Sequence, residues 1–236
     1  MANRDRPLLA VLIDADNIPA KFAEAILKEI TSLGEPALRR VYGDWSSGQL
    51  RGWADKVLEL GLVAHQETAN TKGKNASDIG LVIDAMDILN GGRFDGFVLV
   101  SSDSDFTRLA SRIREDGLDV FGIGEGKAPE SLRNVCNRFI LIENLIDEPA
   151  APQDATVAAT KRKPQDALPM ILRAMEQMNQ EDDWVALGAL GSTIMAAVPD
   201  FDTRTYGKRK LSELIGDIRR LETRKEGNQL MVRRRD

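Results

Sequence analysis

Asp14 directly follows six consecutive apolar residues, Leu8 to Ile13, and Asp16 and Asn17 come next across Ala15. Asp103 and Asp105 follow a second apolar run, Phe97 to Val100, across Ser101 and Ser102. Such runs predict strands buried on both faces. A parallel sheet keeps its crevice at the carboxyl ends of its strands, so if the two strands are neighbours their carboxylates converge there. Uncompensated, such a cluster is costly, and a hard divalent cation, Mg²⁺ or Mn²⁺, is what carboxylate oxygens favour. In an open α/β crevice that combination points to phosphate chemistry: water activation, charge neutralisation and stabilisation of a leaving oxygen. Asp14, Asp78, Asp103 and Asp105 are the expected ligands and catalytic residues. Asn17 joins them as a neutral group that orients a carboxylate or the attacking water. The plainer alternative is that these Asp residues only cap helices, and Asp16 and Asp44 stand in a second tier as ligands, supports or turn residues.

The chemistry has to rest on Asp and Glu because the 236-residue chain has one His, His65, and one Cys, Cys136. That excludes an internal disulfide, a cysteine-rich zinc site and a multi-histidine metal site. With 42% hydrophobic and 29% charged residues, the composition is that of a globular protein. Neither a membrane-length apolar stretch nor a signal-peptide core is present, which predicts a cytoplasmic protein with no membrane partner. The net charge of −5 conceals a division: Arg204 to Asp236 holds eleven Lys/Arg against five Asp/Glu, or +6, leaving −11 for residues 1–203. An acidic body with a basic end points to nucleic acid, although a solvated basic face has the same composition.

The elements that must position these acids alternate. Strands are expected at 8–13, 36–43, 62–65, 96–100, 120–123 and 139–142. Helices are expected after Pro19, over about 47–60 with Leu50, Trp53, Ala54, Val57 and Leu58 inward, and from Asp78 to about Leu89 behind a Ser77 cap, with another starting at Asp105. For the 78–89 helix the inward face reads as Ile79, Val82, Ile83, Met86 and Leu89. Asp84 and Asp87 share that helix but point well away from Asp78. The alternation predicts an α/β fold with a central parallel sheet covered on both faces. Gly122 to Ala128 superficially resembles a phosphate loop but fails its spacing. Lys72 and Lys74 lie in a polar loop where they could grip RNA phosphates, the plainer alternative being a Lys- and Asn-rich loop that is only solvated.

The texture changes at Asp147, giving an expected division into residues 1–147, a flexible linker at 148–165 and a small second domain at 166–236. The last part reads as three helices followed by a hairpin around Gly227-Asn228, the order of a winged helix. Lys208, Arg209 and Lys210, at the start of the expected third helix, favour nucleic acid as its ligand.

Together, Ile13-Asp14-Ala15-Asp16-Asn17-Ile18-Pro19, Lys72 to Asp78, Ser101 to Phe106 and Phe139-Ile140 resemble the NYN domain, a PIN-like ribonuclease family that includes LabA-like bacterial proteins. The resemblance implies a PIN-like fold and metal-dependent endonucleolytic cleavage of RNA, with Asp14, Asn17, Asp78, Asp103 and Asp105 on the acidic centre. Trp184, Leu187 to Gly191, Pro199 to Asp202, Arg204, Tyr206-Gly207 and Lys210-Leu211 resemble the OST-HTH (LOTUS) domain, which implies a winged helix that binds RNA. Arg204, Tyr206, Lys208, Arg209 and Lys210 are its expected RNA contacts. Two other readings stay open. One is a haloacid-dehalogenase-like phosphatase with Asp14 as nucleophile, against which Asn17 and the missing cap domain weigh. The other is a non-catalytic RNA-binding adaptor. The sequence also leaves a homo-oligomer open.

Overall fold

The computed structural model describes residues 5–66, 76–146, 161–178 and 183–235. Lys72 and Lys74, and most of the expected linker, lie outside them. The chain divides into two compact units, Met1–Glu148 and Pro149–Asp236.

In the first unit, β1 (Leu8–Asp14), β2 (Glu35–Gly43), β3 (Val63–Gln66), β4 (Gly96–Val100), β5 (Asp119–Gly124) and β6 (Arg138–Leu141) form one sheet in the order β3-β2-β1-β4-β5-β6. Every pairing is parallel. All seven residues of β1 and all five of β4 are buried, as continuous apolar runs require. These two strands are neighbours, with Ile13 opposite Val100. The chain runs outward from β1 through β2 to β3 and then restarts at β4 on β1's other side. The β1/β4 junction is therefore the switch point at which a crevice opens beyond the strand ends.

Helices α1 (Ala23–Leu33), α2 (Arg51–Glu59), α3 (Ala76–Asn90), α4 (Thr107–Glu115) and α5 (Glu130–Val135) connect the strands. Leu81, Ala85 and Leu89 of α3, with Leu109, Ala110 and Ile113 of α4, pack on Ala10, Leu12, Phe97 and Leu99. Alternation sends Leu9, Val11 and Ile13 to the opposite face, where a Cβ on Gly34, just past α1, would overlap the Leu9 side chain. Trp53 of α2 is buried and its indole N–H donates to the Ile18 carbonyl at 2.7 Å.

Two expected helix faces need correction. In the 47–60 segment, Trp45–Ser47 forms a 3-10 turn capped by Asp44, and Gly48 at φ +65° breaks the chain before α2 starts at Arg51. Leu58 then faces outward, 86% exposed. In α3 the helix begins at Ala76, so Ser77 falls inside it, and the inward residues are Leu81, Ala85 and Leu89. Ile79 and Ile83 are 60% and 59% exposed. Apolar residues surround this helix, so periodicity alone selects no face. Its rotation is set by Asp84, which accepts hydrogen bonds from Arg40 and from the hydroxyl of buried Tyr42, both on β2.

The second unit packs α6 (Leu168–Gln177), α7 (Leu187–Ala197) and α8 (Leu211–Gly216) against β7 (Val185–Ala186), β8 (Leu221–Glu226) and β9 (Gln229–Arg234). The strand order is β7-β9-β8, antiparallel. This is the small winged helix expected after the parallel-sheet domain. Gly227, at φ +57°, supplies the left-handed hairpin turn. Gly191 lets α7 approach α8, since a Cβ there would sit 3.2 Å from Leu211 Cδ2. The third helix is shorter than its spacing predicts. Gly207, at φ +70°, ends a 3-10 turn at Thr203–Tyr206, and Lys210 is extended, so Lys208 to Lys210 form a turn ahead of α8. Among the described residues no helix is long and apolar enough to cross a membrane.

Candidate active site

β1 ends at Asp14, and β4 delivers Ser101 and Ser102 beside it. Asp14 is 3% exposed and both its oxygens are engaged. The Ser101 hydroxyl donates to Oδ2 at 2.8 Å, and the Asn17 backbone N–H donates to Oδ1 at 3.2 Å. Ser101 Oγ in turn accepts from the Asp103 backbone N–H at 3.1 Å, so one hydroxyl ties the two strand ends together. Asn17 adds a second tie: its Oδ1 accepts from the Ser102 N–H at 3.0 Å. Ser102 Oγ accepts from the Glu125 N–H at 2.8 Å, fixing the loop after β5.

Beyond these ties lie three further carboxylates. Asp78, Asp103 and Asp105 each offer an oxygen, and the three atoms lie within 4.8 Å of one another. Asp103 also caps the 3-10 turn Ser104–Phe106, accepting from the Asp105 N–H at 2.9 Å, so capping and clustering coexist in one residue. Asp78 reaches the cluster because it shares the inward stripe of α3 with Leu81 and Ala85, three and seven residues on. Asp14 stands behind this group, close enough to feel the charge of Asp78 and Asp16.

The local field is strongly negative. Burial, opposed by the Ser101 bond and reinforced by Asp78 and Asp16, pushes the Asp14 carboxyl up to about 7 from an ordinary value of 3.8. Asp78 is also raised, first by burial and then by Asp103, Asp105 and Asp16. Asp16, second-tier in the sequence, thus acts on both. Asp44 is a turn residue: its Oδ1 accepts from Ser46 N–H, Ser46 Oγ and Gln66 Nε2, which hold its carboxyl below the usual range. The residues missed by sequence reasoning are Ser101 and Ser102; the signal was their place between a buried strand and the Asp103-Ser104-Asp105 turn.

The donor set fits a hard cation. Asp78, Asp103 and Asp105 each bring a carboxylate oxygen within 4.8 Å of the others, and a hard ion such as Mg²⁺ takes oxygen ligands from a few carboxylates and fills the rest of its shell with water. Asp84, further along α3, secures this arrangement through Arg40 and Tyr42 of β2. Asp84→Ala is expected to lower stability by about 2 kcal/mol, because it strips two buried or half-buried donors of a charged partner. A urea titration would check this.

In the second unit, the expected RNA contacts divide. Arg204 is clamped on Asp202, with Nε to Oδ2 at 2.9 Å and a terminal nitrogen at 2.6 Å. Tyr206 is buried at 8% exposure. Lys208 pairs with Asp217 at 2.5 Å, whereas Arg209 and Lys210 are exposed.

The NYN domain family model matches residues 8–143, and the OST-HTH/LOTUS domain model matches residues 159–232. No curated protein matches the chain. Among solved structures, the chain is similar to a protein of unknown function from Vibrio parahaemolyticus. That match has 21% identity and a TM-score of 0.51, covering 60% of this chain and 96% of that one. An uncharacterized protein from Nitrosomonas europaea is 29% identical over 39% of this chain and 93% of its own, at a TM-score of 0.28.

Proposed function

Since the chain belongs to the NYN domain family and carries an OST-HTH/LOTUS domain behind it, we propose that it is a cytoplasmic, divalent-metal-dependent endoribonuclease whose second unit holds the RNA. The observation that carries this reading is the convergence of Asp78, Asp103 and Asp105 at the β1/β4 switch point. In the proposed site these three residues hold Mg²⁺ or Mn²⁺. An ion there supplies charge neutralisation at the scissile phosphate and an acidified water. Asp14 orients the site through Ser101, while Asn17 fixes the Ser101-Ser102 turn.

A phosphatase that uses Asp14 as nucleophile is disfavoured, because both Asp14 oxygens are hydrogen-bonded and the residue is buried. The acidic cleft repels RNA until metal is bound, so a tethered basic module raises the effective substrate concentration. The test is a circular single-stranded RNA incubated with the full chain and Mn²⁺. Linearisation that EDTA abolishes is expected; intact circles at all metal concentrations would overturn the nuclease reading.

A further inference from the structure

The hairpin of the second unit treats its two sides differently. On one side, the Arg224 and Arg233 guanidiniums lie 4.3 and 4.7 Å from the centre of the Trp184 ring. Arg233 Nε donates to Glu222 at 2.7 Å and Arg224 pairs with Glu226 at 3.0 Å, so this side neutralises itself. On the other side, strand alternation places Lys225 and Arg234 with Leu221, which is buried against the helices, and Arg234 is directly opposite Leu221. The Arg235 N–H donates to the Arg220 carbonyl at 2.8 Å, which brings the end of β9 to the α8–β8 turn.

Arg219, Arg220, Lys225 and Arg234 are all exposed, and none has a carboxylate partner among the described residues. From Asp217 to Arg235 the sequence holds seven cations against three acids, in a chain whose first 203 residues carry −11. Exposed cations on one module that are not taken up by carboxylates favour a polyanion.

We propose that the phosphate backbone of single-stranded RNA binds along the α8–β8 turn and the helix-facing side of the hairpin, with Arg219, Arg220, Lys225 and Arg234 making most of the phosphate contacts. This rests on the RNA-binding reading above and shifts its weight away from Lys208 to Lys210. The site is distinct from the acid cluster and requires no metal.

The test is the binding of a labelled single-stranded RNA to the full chain in EDTA over a salt series. Neutralising all four residues to Gln is expected to reduce the slope of log K against log salt by about 3, at roughly 0.7 per lost contact. The Arg209→Gln/Lys210→Gln pair should reduce it by less than about 0.7, the value of one contact. If the fourfold variant does not fold, Arg219→Gln/Arg220→Gln in the exposed turn decides, with an expected drop of about 1.4. An unchanged slope, or a larger loss in the Arg209/Lys210 pair, overturns the proposal. Competition by poly-glutamate as effective as RNA at equal charge would assign the surface to an acidic protein and overturn it too. No RNA binding by the unaltered chain would remove the RNA-binding reading itself.

Discussion

Asp103→Asn is expected to slow RNA cleavage by about a thousandfold, or about 4 kcal/mol of barrier, while RNA affinity in EDTA stays within about twofold. Asn keeps the size of the side chain and one oxygen to accept from the Asp105 N–H, so the turn at Ser104–Phe106 is retained. What is lost is one negative charge in the Asp78, Asp103, Asp105 group, and with it the ability to concentrate a divalent ion. Asp14→Asn should also abolish cleavage by a different path, since Asp14 acts behind the cluster through Ser101. Comparing the two variants for Mn²⁺ affinity by calorimetry and for single-turnover rate separates the roles. Asp103→Asn should lose affinity most. Normal cleavage by either variant would show that the site is assigned wrongly.

The second large effect is a pH dependence of stability in EDTA. In the folded chain burial holds the Asp14 carboxyl at about 7, against 3.8 ordinarily. Between these values the folded state binds a proton that the unfolded state has released. Stability therefore falls as pH rises through this window and levels off above it. The full difference is about 4 kcal/mol, and Asp78, shifted in the same direction, adds to it. Urea unfolding followed by tryptophan fluorescence should give a lower midpoint at pH 8 than at pH 5. Asp14→Asn should remove most of the dependence and leave the smaller part that Asp78 contributes. Saturating Mn²⁺ should reverse the trend, since the carboxylates must ionise to bind it. Equal midpoints at the two pH values in EDTA would contradict the buried, raised carboxyl.

Much of this architecture is local in origin. Apolar runs ending in Asp14 and in Ser101 to Asp105 specify two central strands and the acids at their ends, and Gly227-Asn228 specifies the wing. These features were legible because strand burial and turn chemistry act over a few residues. The amphipathic face of α3 was not legible. With Ile79, Leu81, Val82, Ile83, Ala85 and Met86 spread round the helix, several rotations satisfy the hydrophobic pattern, and the long-range bonds of Asp84 to Arg40 and Tyr42 choose among them. That choice turns Asp78 toward Asp103. Likewise the basic residues of the second unit are plain in the sequence, but which of them are spent on Asp202, Asp217, Glu222 and Glu226 is not. The sequence by itself determined which acids and which cations this protein has. Only tertiary structure decided which of them meet and which stay unpaired, because ion pairing and helix rotation depend on partners tens of residues away along the chain.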